Sequence, residues 1–131
     1  MAGNRAGPGP ADFFPMRERY FLEFIDRTGT DAQRFATFRL GRVWARLLNK
    51  GDLIYLANDR QIYGSARVLE LKTGSLNALL LDHAKESHLE LGCADPENAP
   101  KRRFESIQKL YGPHKAHIES LGTVILLRRT A

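Results

Sequence analysis

Residues 33–42, QRFATFRLGR, hold the pattern on which the reading of the fold turns. With a period of two, Arg34, Ala36, Phe38 and Leu40 share one side, and Gln33, Phe35, Thr37 and Arg39 share the other. A half-buried strand sorts polar from apolar by this alternation, and here neither side is sorted. The polar residues that break the alternation, Arg34, Thr37 and Arg39, are therefore candidate site residues.

The same strand begins a window without acids. Between Ala32 and Gly51 there is no Asp or Glu, while Arg34, Arg39, Arg42, Arg46 and Lys50 supply five positive charges, as many as the net charge of +5 on all 131 residues. A concentrated field of this sign attracts polyanions, and nucleic acid is the expected partner. Lys101 and Arg102, in KRRF at 101–104, add positive charge where a helix dipole disfavours it, which also suits a phosphate partner.

Outward from this window, residues 1–12 are mostly Gly, Pro and Ala and are expected to be a disordered tail, with 13–131 as one domain. FFPMRERYFLEFIDRTG, with Pro15 near its start and Gly29 at its end, fits a helix over about 15–27, with a strand over YFLEFI as the rival. GRVWARLLNKGD reads as a short helical turn in which Trp44 joins the core. LIYLAND and RQIYGSARVLEL read as a hairpin turning at Asn58-Asp59. Ser75 caps a helix carrying Leu76, Leu79, Leu80, His83 and Ala84. Pro100 opens another, with Phe104, Ile107, Leu110 and Tyr111 on its buried side, and LGTVILLRR is a final strand. The class is α+β.

No apolar run is long enough for a membrane helix, and the N-terminus lacks the pattern of a signal peptide, so a cytoplasmic protein with no membrane partner is expected. The single cysteine, Cys93, excludes an internal disulfide. His83, His88, His114 and His117 do not form a recognised zinc spacing, and neither a metal nor another cofactor is expected.

AQRFATFR resembles the Gly-x-Lys-x-x-Glu/Thr-x-Arg motif of ASCH domains, which belong to the PUA-like superfamily. Ala32 stands at the Gly, Arg34 at the Lys, Thr37 at the Glu/Thr and Arg39 at the Arg. NKGDLIYLAN, IYGSARVLEL, LLLDHAKES and FESIQKLYG resemble later family segments in the same order, over roughly residues 13–129. The resemblance implies a small β-barrel with flanking helices and RNA-related work in a cleft between them.

Two activities follow from the resemblance. One is an RNA- or nucleotide-binding module that uses Arg34, Thr37, Arg39, Arg42, Arg46, Lys50, Lys101 and Arg102 on RNA or a modified nucleoside. The other is a small hydrolase, an acetylated-cytidine amidohydrolase or a ribonuclease, with Thr37 and Glu86 as its catalytic groups. Arg34 and Ser87 stand where the family's amidohydrolases carry their reactive Lys and Glu. Because arginine does not give up its proton, these substitutions favour binding.

Overall fold

The computed structural model describes residues 20–130, so the tail expected at 1–12, and residues 15–19 of the expected first helix, lie outside the described residues. Five strands form one mixed sheet: β1 (Tyr20–Glu23), β2 (Arg34–Leu40), β3 (Leu53–Asn58), β4 (Gln61–Ser75) and β5 (Leu121–Arg129). Their order across the sheet is β1-β3-β4-β5-β2. Only β1 and β3 run parallel. Three helices complete the fold: α1 (Val43–Leu47), α2 (Leu76–His83) and α3 (Ala99–Tyr111).

Two expectations are corrected here. The sheet is open, with β1 and β2 as its two edges and no ladder joining them, so the expected PUA-like β-barrel is not formed, although the α+β class holds. The edges nevertheless approach: Phe24, just after β1, and Phe35 of β2 meet with ring centroids 6.2 Å apart. Edges four strand spacings apart would be separated by about 19 Å if the sheet were flat. The sheet is therefore strongly curled without being closed.

The second correction is at residues 20–23, which form an edge strand and not part of a helix. Tyr20, Leu22 and Phe24 satisfy a period of two as well as Tyr20 and Phe24 satisfy one of four, and aromatic residues favour the strand. Pairing with β3 decides the matter: Leu22 is fully buried, while its neighbour Phe21 is 49% exposed.

Curling gives the sheet an inner and an outer face. Inside, Leu22, Phe24, Phe35, Ile54, Leu56, Val68, Ile125 and Leu127 make the main core, closed at one end by Leu48 and the half-buried Trp44, whose ring meets Tyr20 edge-on. Outside, α2 lays Leu79 on Ala36 and Val124. Ser75 caps α2 as expected, its Oγ accepting from the backbone N–H of Ala78 at 3.2 Å. Helix α3 stacks Phe104 and Ile107 against the buried Leu76, Leu80 and Ala84. Its other two expected core residues are out in the open: Leu110 is 57% and Tyr111 39% exposed.

The β3–β4 hairpin forms as expected but turns one residue later than Asn58-Asp59, through Asp59 and Arg60 with φ of 52° and 64°, because Asn58 still pairs with Gln61. A two-residue hairpin loop with both residues left-handed matches strand twist, and Asp suits its first position, but Gly is the favoured second residue. Arg60→Gly is accordingly expected to stabilise the protein by about 1 kcal/mol, read as a higher urea midpoint with an unchanged denaturant slope.

Candidate functional site

Among the described residues no sixth strand pairs with the outer edge of β2, and residues 87–88 cover it in part. Ser87 bridges to Ala36, and the His88 N–H donates to the Ala36 carbonyl at 3.0 Å. Beyond this bridge a cleft of about 460 Å³ opens. It lies between Thr37, Phe38 and Arg39 of β2, the 87–89 segment, residues 23–26 after β1, and the last two turns of α3 with Leu110 and Tyr111 on the rim. The mixed strand thus meets the core at Phe35 and the cleft at Thr37 and Arg39.

Arg39 is the most deeply buried cation of the cleft lining. Its Nε donates to Thr37 Oγ1 at 3.3 Å, and its guanidinium lies 5.0 Å from the Phe24 ring centroid. No carboxylate among the described residues is within ion-pair distance of it. Burial pushes its pKa down, the sign of a cation short of solvent.

His88 is the site residue that sequence reasoning passed over. It is 7% exposed, and its Nδ1 lies 2.7 Å from the Thr28 carbonyl oxygen. A carbonyl only accepts, so Nδ1 carries the proton and, in the neutral ring, Nε2 is left as an acceptor. Burial lowers the His88 pKa; the Thr28 bond opposes this and nearby Arg39 reinforces it, so the ring is neutral at pH 7. The only local sign was Gly29, where φ is +79° and an added Cβ would lie 1.8 Å from the His88 carbonyl oxygen.

The remaining wall is held by ion pairs. Buried Glu90 receives Arg102 through Nη2 at 2.6 Å and Arg103 through Nε at 2.8 Å, and Arg102 also reaches Asp95 at 2.9 Å. Burial alone would raise the Glu90 carboxyl, but the two guanidiniums outweigh it and hold the group below its usual value. Arg103 is thereby pinned along the cleft. On the opposite wall, Asp26 accepts from the Thr28 hydroxyl at 2.6 Å and backbone at 2.9 Å, bonds that keep it ionised.

The sequence candidates are divided among several places. Thr37 and Arg39 share the cleft. Arg34 is exposed at the start of β2 on the outer face. Arg42, the N-cap residue of α1, and Arg46 within it are exposed, with Lys50 in the turn that follows. Lys101 is exposed in the first turn of α3, and Arg102 is engaged by Glu90 and Asp95. Glu86 lies outside the cleft lining and bonds His83 Nδ1 at 2.7 Å.

Two measurements test this geometry. Gly29→Ala must displace the His88 backbone, and a loss of at least about 2 kcal/mol in unfolding free energy is expected. The lowered His88 pKa means that the unfolded chain binds more protons below pH 6.5, so its contribution to stability is complete above that value and is lost as pH falls toward the folded-state pKa. Urea midpoints between about pH 7 and 5 should fall in the parent protein and fall less in His88→Gln.

No family model matches the chain, and no curated protein matches it. Two solved structures share its fold. Protein EF3133 from Enterococcus faecalis V583, whose family model is DUF984, superposes with a TM-score of 0.61 at 10% identity, covering 92% of this chain and 81% of that one. Hypothetical protein PH0355 superposes with a TM-score of 0.59 at 14% identity, covering 86% of this chain and all 100% of its own. At these identities the likeness is one of fold, and the chain is similar to both proteins in that respect.

Proposed function

We propose that the cleft binds a nucleotide unit of RNA. The observation that carries this reading is the half-buried Arg39 guanidinium, which faces a nucleotide-sized opening with no carboxylate of the described residues in ion-pair contact, Glu23 favouring its charge only from a distance. A charge held away from water without a partner is costly, and a ligand phosphate or base edge supplies that partner. The volume lies in the range of small-molecule pockets.

The other walls select for more than an anion. Glu23 and Asp26 line the same cleft and would repel a bare polyanion, but they accept hydrogen bonds from ribose hydroxyls or from a cytosine amino group. Phe24, Leu110 and Tyr111 offer flat or apolar surface to a base. The ASCH-like placement of Thr37 and Arg39 supports the same ligand class.

Calorimetric titration with pyrimidine nucleoside monophosphates tests the proposal. Arg39→Gln should weaken binding by about 2 kcal/mol, roughly thirtyfold, with the fold intact. No binding of any common nucleoside monophosphate at millimolar concentration would sink the reading.

One observation favours a second reading, hydrolysis of the bound nucleotide. Neutral His88 lines the cleft together with the hydroxyl residues Thr37 and Ser87, and its Nε2 is free of the proton. In this form His88, rather than Glu86, is the base. Product analysis after incubation with acetylated cytidine or labelled RNA should show turnover that His88→Gln abolishes. Absence of product at high enzyme concentration refutes it.

A further inference from the structure

Outside the cleft, the outer face of the sheet carries an arrangement that ordinary strand pairing disfavours. Arg34 of β2 lies opposite Arg128 of β5, and Arg128 lies opposite Arg67 of β4. Residues paired in register share a face, so the three arginines form one row across three adjacent strands, about 10 Å from end to end. Like charges directly opposite one another destabilise a sheet.

Among the described residues, nothing acidic relieves the row. All three side chains are exposed, and no carboxylate among the described residues is within ion-pair distance of any of them. Arg67 donates through Nη1 to the Gly51 carbonyl at 3.3 Å, which sets the turn carrying Lys50 beside the row. Glu70, on the same face of β4, is bonded to Lys72 at 3.3 Å. Helix α2 stops short of the row: its Leu79 covers Ala36 and Val124, further along the same strands.

We propose that this row binds the phosphate backbone of single-stranded RNA. Guanidiniums side by side on a sheet match successive phosphates of one strand, and each contact releases counterions. The choice of a single strand rests on the neighbours. Leu53, 36% exposed, lies directly opposite Arg67, and Phe21, 49% exposed, lies further out on β1. Exposed apolar and aromatic side chains beside a cationic row receive unstacked bases, which a duplex does not offer. The proposal stands on the outer face and does not require the cleft to hold a nucleotide.

The test is fluorescence anisotropy with a labelled single-stranded RNA of about 12 nucleotides, titrated between about 50 and 200 mM salt. The Arg34→Gln/Arg128→Gln double variant should bind about tenfold more weakly, with a log–log salt slope shallower by about 1.4, two phosphate contacts at ~0.7 each. A thermal melt at or above the parent's confirms that the fold is kept, as expected when two exposed like charges are removed from opposed positions.

Mononucleotide titration of the same variant should be unchanged. RNA binding that depends on the row in a protein that binds no mononucleotide upholds the row and overturns the cleft. Unchanged RNA affinity and slope in the double variant overturn the row. Equal affinity for a duplex RNA of the same length, or equal competition by polyglutamate, overturns its assignment to a single strand.

Discussion

Phe24 and Phe35 belong to opposite edges of a five-stranded sheet, and yet their rings touch. Everything distinctive about the molecule depends on that contact. It curls the sheet around a shared core, and it brings the end of β1 to within reach of β2 without a backbone ladder between them. His88 completes the cluster, its ring standing edge-on to both phenylalanines with centroids 5.1 and 6.1 Å away. The gap left between the edges is where the cleft opens. A fully paired barrel would have filled that position with hydrogen bonds.

The cleft is therefore a product of incomplete closure, and its walls are secured from a distance. Thr28 holds His88 across 60 residues of sequence. Arg129 ties the same loop down through the Thr30 carbonyl at 2.8 Å. Glu90 gathers two arginines from α3. These bonds fix backbone and ring positions while leaving Arg39 without a carboxylate in contact, so the walls are held in place around a half-buried cation. Preorganised donors of this kind lose little on binding, because they are already ordered.

Local signals made much of the fold legible. The β3–β4 hairpin, the Ser75 cap and the continuous apolar run of β5 each depend on nearby residues, and each element is present, the hairpin turning one residue beyond the expected Asn58-Asp59. Edge closure depends on a pairing between distant strands, for which no local residue codes, and so the barrel was a wrong expectation. At residues 20–23 two periods coincided, and only β3 could choose between them. The site was partly visible. Alternation along 33–42 already separates Arg34 from Thr37 and Arg39, and the structure puts them on opposite faces. His88 was hidden, because its role is set by Gly29 and Thr28 and by no motif of its own.

Strand β5 is flanked by β4 on one side and β2 on the other, so among the described residues the strand partner of β2 is the one made from residues 121–129. During synthesis, β2 must leave the ribosome and wait, unpaired, while some eighty further residues are added. Throughout that interval its apolar Phe35 and Phe38 are uncovered, while its arginines and the acid-free window behind them keep nascent chains apart by repulsion. The charge that suits a polyanion in the finished protein would thus also protect the unfinished one from aggregation.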